Sequence, residues 1–321
     1  MTPRYEPVPE WGRLPEGWSL VEVAGVATDS RDRVYVFNRG EHPLIVFDSQ
    51  GNFVHSWGEG RVTRAHGITV GADDAVYLTD DRGHTVQKMT TDGQILYTLG
   101  MAGQPSDTGM VGFDYRAIQR GGPPFNYPTN VALAAGGDLY VSDGYGNARV
   151  HRFSPQGELL QSWGEPGSGP GQFNIPHGIA VDRRGRVIVA DRENNRLQFF
   201  SLEGEFLEEW TDVVRPCQVF ADSAGLLFVA ELGWRCGLWP WLERPANPPA
   251  SRVSVFDEEG ELLARWGNDD PMAPDGFYAA HGICADSQGS LYVGEVTMSA
   301  GGYKGHVPAN CPSLRKYSRK N

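Results

Sequence analysis

One phrase recurs along this chain at intervals near forty residues, and it restricts the fold more than any other feature. FNIPHGIAVD (Phe173–Asp182) returns as TRAHGITVGAD around His66 and as FYAAHGICAD around His281. Without histidine it returns as EVAGVATD around Ala24, NYPTNVALA around Thr129 and VRPCQVFAD around Cys217. Each copy runs on into a β-branched or aromatic segment such as RVYVF, DLYVS or VIVAD, then a third apolar segment and a glycine turn. The fourth segment ends in Trp57-Gly58, Leu99-Gly100, Trp163-Gly164 or Trp266-Gly267, and Trp210 closes another copy. Gly25 to Gly67 is 42 residues and Gly178 to Gln218 is 40, whereas insertions near 101–124 and 233–250 stretch two other spacings to 63 and 64. Four strands in a period of about forty residues are the mark of a β-propeller blade. Six copies predict an all-β, six-bladed propeller.

The last copy ends after its third strand, SLRKYS. Its outer strand is expected from YEPVPEWG (Tyr5–Gly12), which carries the same Trp-Gly ending, so an N-terminal strand closes the ring and removes two exposed edges. No sustained 3.6-residue apolar pattern of helical length appears. The expectation is a single domain over residues 1–321.

The variable position of the phrase starts the strand that lines a propeller's channel. Blades 2, 4 and 6 place His66, His177 and His281 there; blades 1, 3 and 5 place Ala24, Thr129 and Cys217. Alternate blades of a six-fold ring are about 120° apart, so the imidazoles converge on the axis. Three neutral histidines with an open fourth position suit catalytic zinc. One His-Gly copy reads best as a repeat variant; three in strict alternation argue for a metal, with Cys217 as an intruding ligand to be tested. Residues after the second strand share the same rim: Arg39 in VFNRGEH, Tyr145 in VSDGYGNAR and Arg192 in VADRENNR. A guanidinium is a natural fork for a substrate carboxylate, and a tyrosine beside a dication and arginines suits general-base work. Asp143, Asn147 and Arg149 recur as Asp191, Asn194 and Arg196, which marks them as structural ties between blades. Asp80, Asp81, Glu231 and Glu295 are read as structural for the same reason. The tryptophans of LGWRCGLWPWLERP, Trp234, Trp239 and Trp241, are candidates for a substrate wall or lid.

The 40 acidic and 28 basic side chains give a formal charge of −12, which disfavours nucleic acid and anionic membrane as partners. No apolar leader, membrane span or Asn-x-Ser/Thr sequon is present. The four cysteines lack zinc-finger spacing, and a cytoplasmic, bacterial-type protein with free thiols is expected; a Cys236–Cys311 bridge stays open, as does the oligomeric state.

With these residues identified, the repeats resemble NHL repeats. The segments PTNVALAAGGDLYVSDGYGNARVHRFSPQGELLQSWG and FNIPHGIAVDRRGRVIVADRENNRLQFF are similar to peptidyl-α-hydroxyglycine α-amidating lyase. That resemblance implies zinc on His66, His177 and His281, a catalytic Tyr145, and active-site arginines at Arg39 and Arg192. It also implies disulfides and a structural calcium. However, Gly146 stands at a disulfide position, and Gly282 replaces an aspartate that helps hold the calcium, which counts against both. No copper-monooxygenase stretch lies within the 321 residues, so the expected substrate is a small or peptide-like carboxylate, such as a hydroxyglycine or a ureidoglycolate-like compound. The activity implied is metal-dependent cleavage of the C–N bond of a carbinolamide, giving an amide and a glyoxylate-like aldehyde. A lactone or ester hydrolase using metal-bound water, and a non-enzymatic NHL binding propeller, are the alternatives.

Overall fold

The computed structural model describes residues 3–320. Six four-stranded antiparallel sheets follow one another around an axis. The strands nearest the axis are Val23–Thr28, Ala65–Val70, Pro128–Leu133, Pro176–Val181, Pro216–Ala221 and Ala280–Ala285, in blades 1 to 6. Each touches the next all the way round, including Ala280–Ala285 beside Val23–Thr28. The second strands, among them Leu139–Asp143 and Val187–Asp191, are buried along their whole length. Both of their faces are covered by neighbouring blades, which is why these segments read as unbroken apolar runs rather than alternating ones. The fourth strands face water, and Leu159–Trp163 is mostly exposed.

One apolar cluster fills each of the six seams. Phe37, Trp57, Ile68 and Leu78 pack between blades 1 and 2; Phe199, Leu227 and Phe256 pack between blades 4 and 5. Each fully buried side chain of this size contributes about 1.5–3 kcal/mol of transfer free energy. The Trp-Gly endings serve these seams. Trp57 lies over Gly93 in the outer turn of blade 2, where a β-carbon would come 2.7 Å from the ring, and its indole donates to Thr91 O at 3.1 Å. Gly93 has φ +85°, a conformation glycine alone adopts without strain.

The N-terminal strand closes the ring, over a shorter range than the sequence suggested. Arg4–Val8 pairs with Leu314–Lys320, from Arg4 opposite Lys320 to Val8 opposite Lys316. Beyond Val8 the chain leaves the sheet, yet Trp11 takes the seam position of the other tryptophans. It donates to Ser49 O at 3.3 Å and covers Gly51, as Trp57 covers Gly93. The repeat thus continues across the chain ends although the backbone ladder stops.

Among the described residues helix is confined to Thr297–Ala300 and three short 3₁₀ turns. Three long connections, 101–124, 233–250 and 297–312, leave the rim at which the inner strands begin. No helix among the described residues is long and apolar enough to cross a membrane.

Candidate metal and active site

In all six blades the pairing of the inner strand slips at the variable position. Such a bulge re-aims a side chain out of the regular alternation. It turns His66, His177 and His281 onto the axis, where their ring centroids lie 4.7–5.0 Å apart. One nitrogen from each ring falls within 4.8 Å of the others, and all three rings are buried. Three buried histidines therefore form a group able to hold a metal ion.

Their orientation is set by the other three blades. His66 Nδ1 lies 2.6 Å from Thr129 O, His177 Nδ1 2.7 Å from Cys217 O, and His281 Nδ1 2.6 Å from Ala24 O. A carbonyl can only accept, so each Nδ1 carries the proton and each Nε2 presents a lone pair, the arrangement metal-binding histidines need. The glycine after each histidine makes this approach feasible. A β-carbon at Gly67 would sit 2.6 Å from Thr129 O, and one at Gly178 2.6 Å from Cys217 O. Position 282 is under the same restriction: a β-carbon there would lie 2.8 Å from Gly25 Cα, leaving no room for an aspartate. Burial, and then the positive charges and imidazoles nearby, hold all three histidines well below the usual imidazole range and so neutral.

Tyr145 sits directly over this group. Its hydroxyl is 2.9 Å from His177 Nε2 and 3.2 Å from His66 Nε2, and Arg192 Nη1 donates to it at 3.3 Å. Arg192 also donates to Glu193 at 2.9 Å and is buried. Arg39 donates to Ala65 O (2.7 Å), Glu22 (3.1 Å) and Ser299 Oγ (2.9 Å), while its Nη2 is buried without a partner among the described residues. These side chains line a cavity of about 280 Å³ roofed by Phe113, Trp239 and Pro240. All six candidate side chains therefore meet in one place.

The roof is built from two of the insertions. Phe113 packs on Tyr145 and Trp239, with centroids 5.9 and 5.5 Å apart, and Tyr115 packs on Trp239 and Trp241. Fully buried Arg215 pins the second insertion, donating to the carbonyls of Gly233, Cys236 and Gly237 at 2.9–3.2 Å and pairing with Glu193. Trp234 lies under Arg215 rather than in the cavity. At the opposite mouth a larger space of about 540 Å³ is lined mainly by aliphatic side chains such as Val26, Ile68 and Val131. It offers no histidine or arginine, so the chemistry is read from the upper cavity.

Several readings need correction. Cys217 does not join the histidine group: its backbone carbonyl serves His177, and its side chain packs with Ala24, Leu232 and Cys236. Cys236 and Cys311 form no bridge, and all four cysteines are free thiols. Asp80, Glu231 and Glu295 do cap the loops entering the inner strands, accepting from the backbone of Thr63, Val214 and Tyr278 at 2.6–2.7 Å. Asp81 does not share that duty; it is buried against Arg64. Arg64, Lys304 and Ser299, which sequence reasoning missed, also line the cavity. Arg64, two residues before His66 on the same rim, was legible; Ser299 and Lys304 come from a connection with no repeat to align.

Comparison with known proteins agrees with this fold. The NHL repeat model matches residues 125–153 and 173–200. This chain is an NHL-repeat propeller. The propeller is 28% identical over 317 residues to peptidyl-glycine alpha-amidating monooxygenase B of Xenopus laevis, covering 87% of this chain and 33% of that protein. Over 180 residues it is 36% identical to peptidyl-alpha-hydroxyglycine alpha-amidating lyase 1 of Drosophila melanogaster, covering 52% and 31%. Human NHL repeat-containing protein 3 is 33% identical over 239 residues, covering 69% and 65%. The chain thus spans about a third of the length of the amidating monooxygenases it matches. Among solved structures, a Xanthomonas campestris gluconolactonase superposes with a TM-score of 0.62 at 14% identity over 94% of this chain and 87% of that one, a likeness of fold alone.

Proposed function

We propose that this propeller is a metal-dependent lyase that cleaves the C–N bond of a carbinolamide lying next to a carboxylate. The observation that carries this reading is Tyr145 Oη within 2.9 and 3.2 Å of two Nε2 lone pairs of the histidine group, with a buried guanidinium beside it. The group consists of three neutral nitrogen donors without carboxylate or thiolate, a set that suits zinc. Zinc held by His66, His177 and His281 would supply a Lewis acid toward the substrate's hydroxyl or carboxylate oxygen.

The chain's own groups account for the rest. Arg39, through its free Nη2, and Arg192 hold the carboxylate. Tyr145 Oη takes the proton from the hydroxyl, the C–O bond becomes a carbonyl, and the C–N pair goes to nitrogen, which regains a proton. R–CO–NH–CH(OH)–COO⁻ becomes R–CO–NH₂ and OHC–COO⁻, with no water consumed. Phe113 and Trp239 supply an apolar wall beside Tyr145. Four free thiols fit a reducing, cytoplasmic setting.

The test is glyoxylate release from N-acetyl-α-hydroxyglycine by wild type, Tyr145→Phe and chelator-treated protein. Release lost on both treatments is expected, with kcat down about 10²–10⁴-fold for Tyr145→Phe. Release that survives both, or products that have gained the elements of water, would overturn the reading.

A further inference from the structure

We infer that the molecule held in the upper cavity is a small dianion, whose second acidic group engages Arg64 and Lys304. The inference deepens the carbinolamide reading, on which it rests for the placement of the first carboxylate; the surplus of positive charge is independent of it.

Arg39, Arg64, Arg192 and Lys304 line the cavity, and no carboxylate among the described residues does. Glu22, Asp81 and Glu193 stand behind the wall, taken up by Arg39, by Arg64, and by Arg192 together with Arg215. Five cations thus face three carboxylates, an excess of two positive charges inside a chain of formal charge −12. Arg39 Nη2 is buried beside the cavity without a partner among the described residues, and an anionic ligand would offset such unmatched positive charge.

The charges also have an order. Arg192 donates to Tyr145, and Arg39 donates to the carbonyl of Ala65, the residue before His66; the reacting carboxylate is assigned to these two. Arg64 is anchored to Asp81 through one terminal nitrogen, and about a fifth of its side chain is exposed. The remaining N–H groups of its fork form a second carboxylate site, and Lys304 stands exposed at the mouth. Size sets the other limit. A volume near 280 Å³ roofed by Phe113 and Trp239 lies at the small end of ligand pockets, roughly 300–1,000 Å³, which suits a metabolite better than a peptide.

The probes are unreactive glycines lacking the hydroxyl: N-succinylglycine, a dianion, and N-acetylglycine, a monoanion, titrated calorimetrically into the protein as purified. The dianion is expected to bind at least about tenfold more tightly. That preference should shrink below about threefold in Lys304→Ala and in the double variant Arg64→Gln/Asp81→Asn, which leaves no buried carboxylate orphaned. Equal affinities, no binding of either probe, or a preference intact in both variants overturns the inference. The hydroxylated counterparts separate it from the reaction. A dianion preference with no aldehyde released from either counterpart sinks the lyase and keeps the dianion; release without the preference does the reverse.

Discussion

Blades 2, 4 and 6 and blades 1, 3 and 5 share a backbone, a bulge and a place on the axis, yet they do different work. At the variable position the first three contribute imidazoles; the second three contribute the backbone carbonyls of Ala24, Thr129 and Cys217, which hold those imidazoles in one tautomer. Because what the odd blades offer the histidines here is backbone, their side chains serve locally: Ala24 and Cys217 pack in one apolar cluster, and Thr129 Oγ1 bonds Ser142 and Pro176 at 2.9–3.0 Å. Three different small residues therefore occupy the odd position, while histidine occupies the even one.

This division can be broken from either side. His177→Ala removes one of the three imidazoles outright and should lower metal affinity by more than the roughly 10–100-fold typical of outer-shell changes, as metal analysis after dialysis would show. Gly178→Ala attacks the junction between the two sets. Its new methyl would press on Cys217 O, costing about 1–3 kcal/mol in thermal or denaturant unfolding and weakening metal binding about 10–100-fold. Cys217→Ala sharpens the contrast by doing almost nothing: metal stoichiometry should be unchanged, since the carbonyl remains. A Cys217→Ala protein that loses its metal would show the side chain, not the backbone, to be at work.

Much of this was legible in the sequence, and the limits are physical. The period, the seam tryptophans and the histidine alternation are repeat features, so each was visible by comparing copies. Trp11 illustrates where such comparison loosens: its seam role carries over, while the ladder beneath it ends at Val8. Arg39, Tyr145 and Arg192 stood out because they break the repeat. Ser299, Lys304 and Phe113 lie in connections that have no counterpart in other blades, and only three-dimensional folding brings them to the cavity. The carbonyl partners of the histidines were invisible for another reason: a backbone acceptor leaves no residue type to read.

X-ray absorption at the zinc edge of the purified protein tests the central claim most directly. The account expects about one zinc per chain with three imidazole nitrogens near 2.0–2.1 Å, an oxygen in the fourth position and no sulfur. A sulfur neighbour near 2.3 Å, fewer than three imidazoles, or protein that retains no stoichiometric metal would contradict it.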